Sequence, residues 1–257
     1  MKFIRFLYRL VVFIGLTLAF LISSTLIDIF VKNNKEKVLK FIKNSNFFRD
    51  LALKLFGIKV YIENFNINPD ENYIIAPNHL SYLDILVLKN DNKNLFISTY
   101  EVKNTFLFGH FAKYGGSVFI DRKSKNGLKS EIELIKKYIS DGFNVVIFLE
   151  GTTSNGDGVL PLKSSFVEVA FQTEAKIVPV CIKYISVNGE PINKKNRDLV
   201  FYYGDMELFK HVLKFLYAVK TLEVSVKFLN PVNTLDFKDR KELSKYLHSE
   251  ISTCYLN

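Results

Sequence analysis

Cysteine is nearly absent from this chain of 257 residues. Cys181 and Cys254 lie far apart and show no ligand-like spacing. That excludes a disulfide framework and a cysteine zinc site, and it fits a reducing compartment. There is no internal repeat and no low-complexity linker. No G-x-S-x-G elbow occurs, which removes the main sequence support for a serine lipid hydrolase. Apolar runs long enough for several membrane spans are missing too. With 48% hydrophobic residues the chain has the composition of a globular protein, not of a polytopic membrane protein.

What is present is unevenly distributed. The formal net charge is +9, and residues 1–60 alone carry +8 of it, through eleven Lys or Arg against three acids. A nucleic-acid enzyme would more often place basic charge around its site, so no nucleic-acid partner is expected. Here the charge flanks the most apolar segment. Leu10–Ile27 is eighteen residues without a charge, preceded by Lys2, Arg5 and Arg9 and followed by Asp28 and five lysines up to Lys43. A span needs ~20 apolar residues, so the run is marginal for crossing a bilayer. Read as a signal peptide, it is long, and Ile22-Ser23-Ser24-Thr25 is a poor cleavage site. Glu36–Phe56 follows with Val38, Leu39, Phe41, Ile42, Phe48, Leu51 and Leu55 near helical spacing and lysines between them. Such a segment suits an anionic headgroup layer. Residues 1–57 therefore read as membrane-anchoring helices. Basic charge after the run favours a catalytic part facing the cytoplasm from the inner membrane.

From residue 58 to 257 short apolar runs alternate with helical patterns. Strands are predicted at Val60–Ile62, Tyr73–Ala76, Leu95–Ser98, Val118–Ile120, Asn144–Leu149, Ile177–Tyr184, Leu199–Tyr203 and Val224–Leu229. Helices are predicted at Tyr82–Leu88, Phe106–Lys113, Leu128–Ser140, Ser164–Thr173, Met206–Tyr217 and Arg240–Thr253. The expected fold is an α/β sandwich with a mixed, largely buried sheet.

Polar clusters follow three of these strands: His79 after the second, Asp121-Arg122 after the fourth and Glu150-Gly151-Thr152-Thr153-Ser154 after the fifth. In open α/β sheets, sites gather beyond the carboxyl ends of strands. His79 and Asp84 form H-x-x-x-x-D, a base with a carboxylate that can set its tautomer. Asp84 has a second reading, since Ser81-x-x-Asp84 before an apolar run resembles a capping box. Residues five apart on one helix point about 140° away from each other. The pair can therefore touch only if the helix starts after His79, and a start at Ser81 meets that condition. Arg122 reads either as a strand-end surface residue or as a planar clamp for an anion. Glu150 reads as a turn residue or as an orienting carboxylate, with Gly151 letting loop amides approach an anion. Lys103 and Lys163 each read as solvated or phosphate-facing.

The order Asn78-His79-x-x-x-x-Asp84, Gly116-Ser117-Val118-Phe119-Ile120-Asp121-Arg122, Phe148-Leu149-Glu150-Gly151-Thr152 and Val178-Pro179-Val180 resembles the glycerolipid acyltransferase family over about residues 70–185. Typical members are 1-acylglycerol-3-phosphate acyltransferases. The resemblance implies an acyltransferase fold, an acyl-CoA or acyl-carrier-protein donor, a lysolipid acceptor, and neither metal nor cofactor. It implies His79 as general base and Asp84 as its orienting partner, with Arg122, Glu150, Gly151 and Thr152 binding the acceptor headgroup. The family's third block usually reads F-P-E-G-T-R. Here Leu149 replaces the proline and Thr153 the arginine, which removes a bidentate phosphate contact. The expected acceptor is 1-acylglycerol-3-phosphate. The altered loop also resembles a subset acting on lyso-ornithine lipid or other lysophospholipids, with Lys163 standing in for the missing charge. A lipid hydrolase and a non-catalytic lipid-binding protein are the readings of other classes.

Overall fold

The computed structural model describes residues 2–63, 68, 70–88, 93–105, 108–120 and 127–257. Two long helices come first, α1 (Lys2–Phe30) and α2 (Asn34–Leu55). The turn between them is set by Asn33, whose side chain accepts from the Glu36 amide at 3.0 Å and caps α2. Gly57, at φ +70°, carries the chain from α2 into β1 (Ile58–Glu63); a Cβ there would lie 2.5 Å from the Lys220 carbonyl oxygen.

The rest alternates strand and helix: β2 (Ile74–Pro77), α3 (Asp84–Val87), β3 (Asn94–Thr99), α4 (Tyr100–Lys103), α5 (Phe108–Tyr114), β4 (Ser117–Ile120), α6 (Gly127–Ser140), β5 (Asn144–Val146), α7 (Ser164–Gln172), β6 (Ile177–Val187), β7 (Glu190–Pro191), α8 (Leu208–Ala218), β8 (Leu222–Phe228) and α9 (Arg240–Leu256). The strands form one sheet in the order β1-β8-β6-β2-β5-β3-β4, with β7 hairpinned onto β6. From β6 to β4 the neighbours are parallel, while β8 runs antiparallel to β6 and parallel to β1. The sheet is mixed and largely buried, as expected. Strand β2 is buried on both faces, which is why its sequence is a continuous apolar run and not an alternation. Its odd and even residues still divide by the pleat. Ile75 joins the core under α1 and α8, whereas Ile74 and Ala76 join the core under α7 and α9.

Three sequence expectations change, the first being that the strand expected at Asn144–Leu149 ends at Val146. Leu199–Tyr203 is not a strand: a 3-10 turn at Arg197–Leu199 leads into irregular chain. Val200 and Phe201 are buried there, and the Tyr202 amide bonds the Leu80 carbonyl at 3.0 Å. These apolar residues plug the core without a neighbouring strand to ladder with. The helix after His79 also starts later than Ser81, at Asp84, after a turn.

The first helix is longer than its uncharged run and, at 29 residues, extends about 43 Å. One side packs on the domain through Phe6, Leu10, Phe13 and Leu16, and further on through Phe20. The opposite side exposes Ile4, Leu7, Val11, Ile14, Leu18, Ile22, Leu26 and Ile29, an apolar stripe along its whole length. Arg9 is buried between the two and donates to the backbone carbonyls of Phe56, Val219 and Lys220. Those carbonyls close the ends of α2 and α8, where a cation is favoured.

Candidate active site

Strand β2 stops pairing as a strand at Pro77, which has no amide hydrogen to offer. The next residue, Asn78, continues the connection to β6 with its side chain. Its Nδ2 donates to the Ile182 carbonyl at 3.0 Å, and the Ile182 amide donates to its Oδ1 at 2.7 Å. The loop that follows is thus pinned to β6 at the moment it leaves the sheet.

His79 sits on this loop with its Nδ1 2.8 Å from Asp84 Oδ2. The same oxygen accepts from the amides of Leu80 at 2.6 Å and Ser81 at 2.9 Å. Asp84 is fully buried. The one carboxylate oxygen thus holds both the backbone of its own loop and the imidazole. The carboxylate reaches back to the Ser81 amide as in a capping box, and that reach brings it to the imidazole. Because a carboxylate only accepts, Nδ1 carries the hydrogen and Nε2 keeps a lone pair. The ring stacks on Phe148 at a centroid distance of 3.9 Å. Among the described residues nothing bonds Nε2.

Strand β5 lies next to β2, so the Phe148–Ser154 loop meets the His79 loop directly. Glu150 is 1% exposed, and both of its oxygens are engaged by backbone: Oε1 accepts from the His79 amide at 2.6 Å and Oε2 from the Leu160 amide at 2.8 Å. The Ser154 amide returns to the His79 carbonyl at 2.8 Å. Burial pushes the Glu150 carboxyl up to about 7, against the two amides that favour its charged form. Gly151 has φ +68°, and a Cβ there would lie 2.9 Å from both Lys163 Cγ and Phe166 Cε2. The glycine thus lets the Lys163 stem lie over the loop.

A cleft of about 190 Å³ opens beside the imidazole. His79, Gly151, Thr152 and Ser98 give it a polar rim, and Ile97, Val102, Ile147, Phe148 and Phe166 give it an apolar floor. Of the sequence-predicted residues, His79, Asp84, Glu150, Gly151 and Thr152 come together here. Lys163 adjoins them from the start of α7, exposed at its head. Lys103 is also exposed, on α4, with its Nζ 4.5 Å from the centroid of the Tyr100 ring. Arg122 lies outside the described residues. Sequence reasoning missed Asn78 as a strand surrogate, and it missed Tyr184, whose hydroxyl donates to Asp84 Oδ1 at 2.8 Å. No local pattern marks a tyrosine on a distant strand as a neighbour of Asp84. Of the apolar floor, Ile97, Ile147 and Phe148 were visible as strand residues and Phe166 as a helix residue, without their joint orientation.

Comparison with known proteins follows the same lines. The acyltransferase family model matches residues 58–183. A lyso-ornithine lipid O-acyltransferase of Brucella abortus (strain 2308) is 30% identical over 213 residues, covering 80% of this chain and 79% of the relative. A 1-acyl-sn-glycerol-3-phosphate acyltransferase of Neisseria meningitidis is 27% identical over 178 residues, covering 69% and 67%. Among solved structures, the 1-acyl-sn-glycerophosphate acyltransferase of Thermotoga maritima shares the fold, with a TM-score of 0.71 at 23% identity over 100% of this chain and 97% of that one. A His79–Asp84 contact beside an apolar-lined cleft and relatives that match most of the chain lead to one conclusion: the protein is an O-acyltransferase and belongs to the acyltransferase family.

Proposed function

We propose that this enzyme transfers an acyl group from an acyl-CoA or acyl-carrier-protein thioester to the free hydroxyl of a lysolipid, with 1-acylglycerol-3-phosphate as the acceptor. The observation that carries this reading is the 2.8 Å contact between His79 Nδ1 and Asp84 Oδ2, which leaves Nε2 as a base at an apolar-floored cleft. Nε2 takes the proton of the acceptor hydroxyl as its oxygen attacks the thioester carbonyl. The C–O bond forms, the tetrahedral centre collapses, and the C–S bond breaks. The thiolate then receives the proton from the imidazolium. Asp84 stabilises the imidazolium in between. Thr152 and the loop amides around Gly151, which line the same cleft, would hold the headgroup. Arg122 would supply a further guanidinium for an anionic group.

A second acceptor, lyso-ornithine lipid, is favoured by Thr153 at the position where the family usually has arginine. A loop with one guanidinium fewer suits a less anionic headgroup. The two are separated by turnover of the full-length protein with one acyl-CoA against lysophosphatidate, other lysophospholipids and lyso-ornithine lipid.

The exposed apolar stripe of α1 supports membrane association with the helix lying along one leaflet, since its other side is packed on the catalytic domain. Basic residues in α2 favour the cytoplasmic face of the inner membrane. Residues 1–57 act as the anchor in this reading and residues 58–257 as the catalytic domain. Base catalysis is worth ~10²–10⁴-fold, so His79→Ala should lower acyl transfer by that amount in the same acyl-CoA assay. An alanine variant retaining more than about a tenth of the activity refutes His79 as the base.

A further inference from the structure

The Asp84 carboxylate divides its work unequally. Oδ2 takes three donors, namely the amides of Leu80 and Ser81 and the His79 imidazole. Oδ1 is held by the Tyr184 hydroxyl at 2.8 Å. Tyr184 is 4% exposed and lies on β6, a strand remote in sequence from the dyad. Its ring is fixed edge-on against Phe201, with centroids 5.2 Å apart. The pairing of β6 with β8 shifts register between Tyr184 and Ser186, so one extra residue, Ile185, bulges out directly after the tyrosine. Bulges of this kind re-aim neighbouring side chains and gather near active sites. Two residues earlier on the same strand, Ile182 holds the Asn78 side chain. A single strand therefore sets both the loop that carries the imidazole and the carboxylate behind it.

We infer that Tyr184 is a positioning residue of the acyl-transfer reaction: through Oδ1 it fixes the rotation of the Asp84 carboxylate, so that Oδ2 is presented to His79 Nδ1. Without it, a carboxylate in a buried site would have one oxygen short of a donor and two ways to relieve that, by turning or by taking up a proton. Either one weakens the hold on the imidazole. Burial and the adjoining carboxylate push the Tyr184 hydroxyl well above its ordinary range, so it remains a donor throughout the working pH range. The titratable groups facing Asp84 are His79 on its own loop, Tyr82 in the turn, Glu150 after β5, Tyr184 on β6 and Tyr255 on α9. Of the three tyrosines, Tyr184 has its hydroxyl on the carboxylate; Tyr82 pairs with His211 and Tyr255 with the Gly156 carbonyl.

The inference rests on His79 being the base, and the experiment separates the two. Tyr184→Phe keeps the ring and its contact with Phe201. It is assayed as the full chain, with an acyl-CoA and whichever lysolipid of the panel turns over fastest, and rates are referred to the folded fraction. A hydrogen bond to a charged group corresponds to about a 10–100-fold loss, which should fall on kcat with both KM values unchanged. Tyr184→Gln, which returns a donor, should recover part of kcat. In an Asp84→Asn background the Tyr184→Phe effect should largely vanish, because the two act as one unit. A wild-type kcat in Tyr184→Phe would overturn the inference, and so would a loss confined to KM. A lowered melting temperature with wild-type turnover per folded molecule would reduce Tyr184 to a stability role. If His79→Ala is inactive while Tyr184→Phe is normal, only the positioning inference fails. If His79→Ala is active, the base assignment fails first.

Discussion

Replacing Glu150 with glutamine should remove a pH dependence from the protein's stability. The carboxyl is 1% exposed, yet it holds the amides of His79 and Leu160. Burial outweighs those amides and lifts it from 4.5 to about 7 in the folded protein. A carboxyl raised on folding binds its proton more tightly when native. The resulting stability is complete below the unfolded value of 4.5 and is lost as pH rises toward about 7. The gap corresponds to about 3 kcal/mol, at 1.36 kcal/mol per pH unit. Above that window both states are ionised and the contribution is flat. Denaturant unfolding of wild type and Glu150→Gln, followed by far-UV circular dichroism because the chain has no tryptophan, gives the difference at each pH. Wild type should lose about 3 kcal/mol relative to the variant between pH 4.5 and 7. A constant difference over that range would refute the reasoning, since it would mean that the carboxyl is as well solvated in the native site as in the unfolded chain.

Asn78→Ala should leave the buried amide and carbonyl of Ile182 without partners, at about 1–3 kcal/mol for each unsatisfied group. The total of about 2–6 kcal/mol should appear as a lower unfolding midpoint, and an unchanged midpoint would mean that β6 pairs there without the side chain. Lys163→Ala should raise the KM for an anionic lysolipid several-fold while leaving kcat with an uncharged acceptor unchanged. An unaltered acceptor KM would remove the idea that this lysine replaces the missing guanidinium at Thr153.

The dyad shows how far local sequence reaches. His79 and Asp84 lie five residues apart, and the capping-box pattern at Ser81 already requires the carboxylate to turn back. Their contact is a short-range consequence of one loop. Glu150, Gly151 and Thr152 were legible for a related reason, because a polar Gly-containing run directly after a buried strand has few places to go but the sheet edge. Leu199–Tyr203 misled because alternating bulky residues look alike whether they join a ladder or plug a core. Asn78 gave no sign of its role, because a side chain acting as a strand depends on where the neighbouring backbone lies.

Sequence alone therefore determined the chemistry on offer: a base, a carboxylate at fixed spacing, a glycine turn after a strand and an apolar basic start. Those features are set within a few residues, where chain connectivity does the positioning. Only the tertiary structure decided which strands are neighbours. It placed β2 between β6 and β5, so that Glu150 meets the backbone of His79 and Tyr184 meets Asp84. It also packed α1 against the ends of α2 and α8 through the buried Arg9. Contacts of that kind join residues separated by most of the chain. They follow from how the sheet orders its strands and how two cores close around it, which no local pattern records.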